Sequence, residues 1–222
     1  MKSVEIFENQ RASNYNTFVE TWIPNYHYFM NNLPNILNDT ENKNLLVVGC
    51  GTGAEIERFT NTSTSWKVTG IDPSPEMISQ AIEKFKNVGN VQLIEGTIDD
   101  INSAEKFGAA TLLLVLHFIE GIEAKFDLLK SISAKLESNA PFVLLDITGT
   151  KQQIKENLKI LSHLLPTNLD KEDVKNRLYR IENKLHAISE DQLKEIIVKA
   201  GFETPTRFFQ NSIYMGWITR KR

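Results

Sequence analysis

The stretch NLLVVGCGTG, residues 44–53, limits the possible folds of this chain more than any other, because a short apolar strand runs directly into a turn with glycine at 49, 51 and 53. Glycine tolerates positive φ and lets a backbone lie close against a ligand, and a helix that follows such a turn points free amide N–H groups at whatever is bound there. A turn of this kind belongs in a parallel α/β sheet. Strand-like apolar runs recur at 45–49, 66–71, 91–95, 110–116 and 141–147, several of them continuously apolar, as strands covered on both faces are. Helical patterns lie between them. Ser74-Pro75-Glu76 reads as a helix start with a stripe at Ile78, Ala81, Ile82 and Phe85, and Ile122, Phe126, Leu129 and Leu136 share another helical face.

The C-terminal third departs from this alternation. Ser189 and Gln192 form a capping box, Leu193, Ile196, Ile197 and Ala200 a buried stripe, and Gly201 a stop. Extended stretches follow at 206–210 and 213–219, separated only by Asn211-Ser212, which forces them antiparallel. The expected fold is therefore α/β and Rossmann-like, a seven-stranded sheet with parallel strands first and an antiparallel C-terminal hairpin. Residues 12–38 carry Phe18, Trp22, Tyr26, Phe29 and Leu33 at helical spacing and predict two helices meeting at an elbow near Pro24. Residues 151–185 predict a polar helical insertion split near Pro166, of the sort that covers the carboxyl edge of an open sheet.

With 222 residues and 41% hydrophobic content, the chain can bury one well-filled core. A single domain is expected over 1–222: a helical lid (1–40), a ligand-binding core (41–150), the insertion (151–185), and a terminal helix and hairpin (186–222). A net charge of −3 offers no global field for nucleic acid or an anionic membrane. The lone Cys50 cannot form an internal disulfide, no signal-peptide pattern opens the chain, and no apolar run reaches membrane-spanning length. These features lead us to expect a cytoplasmic protein with no membrane partner. Four dispersed histidines and one cysteine give no metal-ligand spacing.

Three ligands suit a glycine turn at this place: a nucleoside triphosphate, a dinucleotide, or S-adenosylmethionine. The triphosphate needs a lysine and a Ser or Thr after the loop, where Ala54 and Glu55 stand instead. The dinucleotide is harder to set aside, because Gly49-Cys50-Gly51-Thr52-Gly53-Ala54 satisfies its fingerprint and Asp72 lies near the expected ribose-binding distance. Aromatic helices before the first strand and a terminal hairpin favour the methyl donor. Asp72 could then accept both hydroxyls of the ribose diol.

VVGCGTG, GIDPSPEMI, IEGTIDDI and AGFETPTRFFQ, in this order, resemble the class I S-adenosylmethionine-dependent methyltransferases over essentially the whole core. WIPNYHYF and IENKL further resemble the branch that contains carboxy-S-adenosylmethionine synthase, used in wobble-uridine modification of tRNA. The resemblance implies that Gly49, Cys50 and Gly51 line the methionine part, Asp72 and Pro73 the ribose, and Thr97 and Ile98 the adenine, with Asp99 or a backbone carbonyl left to take the adenine amino group; Gly53 in the loop lets the backbone approach the aminoacyl and ribose groups closely. It adds Met77, Leu113 and Leu114 to the donor pocket, with Tyr15 and Tyr26 closing over it. Where many relatives have an acid at the third motif, this chain has Thr97. Where the synthase branch has an asparagine and a carboxylate-reading arginine, Leu113 and Leu178 stand. The ordinary methyl donor is therefore preferred to its carboxylated form. Synthase activity, tRNA modification and a silent donor-binding protein remain as alternatives.

Methyl transfer from a sulfonium needs mainly positioning and exclusion of water. Where an acceptor must lose a proton, His117 in LVLHFIE is the candidate base, against the competing reading that it only closes a turn. Asp146 could likewise face the acceptor. A small molecule is the expected acceptor, with tRNA as the other partner that the resemblance allows. A second subunit completing the lid as a homodimer is a further expectation from the long insertion.

Overall fold

The computed structural model describes residues 6, 15–61, 66–102 and 104–222. Residues 12–14, the start of the expected N-terminal helical segment, lie outside them. Helices α1 (Tyr15–Trp22) and α2 (Tyr26–Ile36) meet at an elbow where Asn25, just after Pro24, takes φ 61°. Strand β1 (Asn44–Val48) and helix α3 (Ala54–Thr60) flank the glycine turn. There follow β2 (Lys67–Asp72), α4 (Pro75–Phe85), β3 (Val91–Glu95), β4 (Ala109–Leu113), α5 (Ile122–Lys135) and β5 (Pro141–Ile147). The insertion forms α6 (Lys151–Leu164) and α7 (Lys171–Lys184), parted at Pro166 as the sequence indicates. Helix α8 (Glu190–Lys199) and the hairpin β6 (Thr206–Asn211) and β7 (Tyr214–Arg220) complete the chain.

Among the described residues the strands form one seven-stranded sheet in the order β3-β2-β1-β4-β5-β7-β6. The first five are parallel to one another, and β7 runs antiparallel to both β5 and β6. Alternate residues of β1 serve opposite faces, as strand geometry requires. Leu45 and Val47 join the apolar cluster that includes α1–α4, α6 and α7. Leu46 and Val48 join the one built on α5 and α8. All seven residues of β5 are buried, which explains the unbroken apolar reading of that run.

Two expectations need correction. The fourth strand ends at Leu113 rather than 116, because Leu114 takes φ 61° and residues 116–118 wind into a 3-10 turn. The turn is held from the neighbouring strand: Asp146 of β5 accepts hydrogen bonds from the amides of Leu116 (2.8 Å) and His117 (3.1 Å). The hairpin turns at Ser212-Ile213 instead of Asn211-Ser212, with Asn211 paired to Tyr214 and Ser212 at φ 55°. Among the described residues no helix is long and apolar enough to cross a membrane.

Candidate donor-binding site

The carboxyl ends of β1, β2 and β4 open onto a cavity of about 330 Å³, within the range of small-molecule sites. At its floor the chain leaves β1 with the amides of Gly49 and Cys50 both donating to the carbonyl of Ile71, at 2.8 and 3.0 Å. Gly49 and Gly51 take φ 71° and 52°, and a Cβ on Gly49 would stand 2.5 Å from Val115 Cγ2. Only glycine fits there.

Asp72 fixes this turn to β2. One carboxylate oxygen accepts from the amide of Gly51 at 2.9 Å and the other from the amide of Ser74 at 2.8 Å. Burial raises its pKa, and those two amides oppose the rise. The Ser74 hydroxyl bonds the same carboxylate, which leaves one acceptor site for a ribose hydroxyl. Pro73 and Met77 line the same wall, and Met77 Cε would be 3.2 Å from a Cβ on Gly51.

Thr97, Ile98 and Asp99 form the next wall. Thr97 is engaged within its own turn, its amide donating to Asp100 Oδ2 at 2.7 Å and its hydroxyl at 3.2 Å. Asp100 is thereby occupied, while Asp99 borders the cavity. Leu113 and Leu114 close the side nearest β4. Tyr15, at the start of α1, covers the glycine turn, its Cε1 4.0 Å from where a Gly51 Cβ would be. Burial raises its phenol pKa, and nearby Asp72 adds to the rise. Thr52 ties this cover to the turn, its hydroxyl donating to Asn16 Oδ1 at 2.6 Å.

Four expected site residues do not line the cavity. Cys50 points into the core toward Gly70, where burial raises its thiol pKa. Gly53 lies against Phe85 at the start of α3. Tyr26 follows the Asn25 elbow into the apolar cluster of α1 and α2. His117 is only 3% exposed, with Nδ1 2.9 Å from Asp146 Oδ1. A carboxylate accepts, so the proton sits on Nδ1. Asp146 also does not line the cavity, since it is spent on His117, Leu116 and the amide of Ile147.

The structure adds lining residues that the motifs omitted. Ala124, Asp127, Leu128 and Ser131 of α5 border the cavity. Their spacing is itself helical, one face beside the Ile122–Phe126–Leu129 stripe, and could have been found by asking what that neighbouring face meets. Beneath the turn Glu55 is buried and hydrogen-bonded by the Thr111 hydroxyl, and desolvation raises its pKa to about 8. Among the described residues no three His, Cys, Asp or Glu side chains gather as a metal site would require.

Residues 45–139 match the family model described as a methyltransferase domain. Carboxy-S-adenosyl-L-methionine synthase 1 of Yersinia pseudotuberculosis is 26% identical over 229 residues, covering 96% of this chain and 92% of the relative. The plantazolicin methyltransferase BpumL, solved with a desmethylPZN analog and SAH, superposes with a TM-score of 0.72 at 13% identity, over 97% of this chain and 92% of that one. Human N-acetylserotonin methyltransferase, solved with SAM, gives 0.65 at 15% identity over 95% of this chain, which spans only 55% of that longer protein. The fold is that of the class I S-adenosylmethionine-dependent methyltransferases, and the methyltransferase-domain match falls on the segment that carries the glycine turn and Asp72. The glycine turn and the Asp72 carboxylate fit S-adenosylmethionine.

Proposed function

We propose that the protein moves a methyl group from S-adenosylmethionine to a small organic acceptor that approaches above the carboxyl ends of β4 and β5. The observation that carries this reading is the cavity bounded by the glycine turn and Asp72 and covered by Tyr15. When bound, the cofactor supplies a methyl carbon on a positively charged sulfur. The acceptor's lone pair forms the new bond and the old bonding pair stays on sulfur, leaving S-adenosylhomocysteine.

The chain's own residues bind and exclude. Gly49 and Gly51 offer close-lying backbone to the amino-acid part, Asp72 accepts from the ribose, Ile98 packs on the adenine, and Asp99 stands where its amino group would be read. Tyr15 and the apolar wall of Leu113 and Leu114 keep water from the reacting carbon. In this reading His117 holds the turn that forms the wall, and its Nδ1 bond to Asp146 serves that purpose.

The test is incubation of purified protein with S-adenosylmethionine and a panel of small phenols, amines and carboxylic acids, followed by mass spectrometry. Formation of S-adenosylhomocysteine with a methylated product is expected. Binding without turnover across the panel would favour the silent-binding alternative. The similarity to carboxy-S-adenosyl-L-methionine synthase over nearly the whole chain supports a second reading, a carboxylated donor. The mass of the nucleoside retained on purification separates the two.

A further inference from the structure

Helix α7 sends Arg177 toward α1, where its guanidinium carbon lies 4.4 Å from the centre of the Phe18 ring. The same group hydrogen-bonds Tyr214, which is buried at the head of β7 and paired with Ile147 at the carboxyl end of β5. Among the described residues, the buried Arg177 Nε has no hydrogen-bond partner. Among the described residues Arg177 makes no ion pair within 4.0 Å, and the groups that act most on its charge are Tyr214, Arg180 and Tyr15. Burial works against that charge, and Arg180 adds to the effect.

A half-buried cation with no anion beside it among the described residues is costly to keep. Beside the Phe18 ring and the Tyr214 hydroxyl, its Nε–H donor is left unused among the described residues. The guanidinium acts electrostatically on Tyr15, which itself borders the donor cavity. The planar fork of a guanidinium matches the paired oxygens of a carboxylate.

We propose that Arg177, supported by Tyr214, reads a carboxylate on the acceptor, so that the substrate class is a small organic acid methylated at another atom. The inference rests on the methyltransferase reading above and deepens it.

The test starts with calorimetric titration of S-adenosylhomocysteine into the wild type, Arg177→Gln, Arg177→Lys and Tyr214→Phe. Protein saturated with that nucleoside is then titrated with benzoate and benzamide, phenylacetate and phenylacetamide, and succinate and succinamide. The acid of at least one pair is expected to bind about tenfold more tightly than its amide, the size of effect one charged hydrogen bond supplies. Arg177→Gln abolishes that preference, Arg177→Lys keeps part of it, and nucleoside affinity stays within about twofold in both. Should Arg177→Gln fail to fold, a weakened acid preference with unchanged amide binding in Arg177→Lys carries the result.

Equal binding of acids and amides, no acid bound at all, or a preference surviving in Arg177→Gln overturns the proposal. So does retention of a carboxylated nucleoside that Arg177→Gln loses while free acids are ignored, since the anion then belongs to the donor. A wild type that binds no S-adenosylhomocysteine overturns the donor reading itself, and this proposal with it.

Discussion

At the residue scale, Asp72 has two duties. Its oxygens hold the amides of Gly51 and Ser74, and the same oxygens face the donor cavity. Asp72→Asn replaces one acceptor by a donor that meets an N–H, so both duties fail together. Affinity for S-adenosylhomocysteine should fall at least tenfold, roughly, by calorimetry. Glu55 gives a prediction of another kind. Its pKa is raised by burial from an ordinary 4.5 to about 8, so the folded chain holds a proton that the unfolded chain releases. Stability should therefore decline as pH climbs from about 4.5 to about 8. Glu55→Gln cannot ionise, and it should flatten the decline by an amount on the order of 3–5 kcal/mol across that window. Urea denaturation at several pH values measures it. An unchanged slope in the variant would mean Glu55 is not the group responsible.

At the element scale, the wall that Leu114, Val115 and Phe118 present to the cavity is a short turn held by side chains from two other elements. Asp146 of β5 takes its amides, and Lys125 of α5 takes its carbonyls, bonding the oxygens of Leu116 and Ile119. Lys125→Met keeps the apolar stem and strands the Ile119 carbonyl, while the Leu116 carbonyl still accepts from the Ile119 amide. The expected cost is about 1–3 kcal/mol for the group left unsatisfied, read as a lower denaturation midpoint, together with weaker nucleoside binding. These ties also explain what the sequence could and could not reveal. The β1 turn, Asp72 and the helix starts at Ser74 and Ser189 follow from local spacing, so residues a few places apart sufficed to read them. The end of β4 does not: ATLLLVL reads as one strand until a carboxylate some thirty residues away pulls its amides into a turn. His117 looked available for chemistry for the same reason, since nothing near it in sequence names Asp146 as its partner. Tyr26 and Cys50 were placed by resemblance, and the elbow at Asn25 and the inward turn of residue 50 direct them to the core.

At the scale of the whole molecule, the last strand in sequence is not at the edge of the sheet. Strand β7 lies between β5 and β6, with Tyr214, Met215 and Trp217 buried. A chain ending at Pro205 would leave all of β5 with an unpaired edge and an exposed apolar face, so it should lose cooperative unfolding altogether rather than a local increment. Near-ultraviolet circular dichroism and a urea titration test this, and a truncated chain that still unfolds sharply would show the hairpin to be dispensable.

The hydrogen bond from Thr52 to Asn16 has a kinetic corollary. Because the helix roofing the nucleoside is fastened to the very loop that cradles it, spent product leaves only after that fastening opens. Thr52→Ala should release S-adenosylhomocysteine several-fold faster in stopped-flow displacement while leaving the amount bound at saturation the same. Residence time, and with it the ceiling on turnover, would then be set by one hydroxyl at the rim.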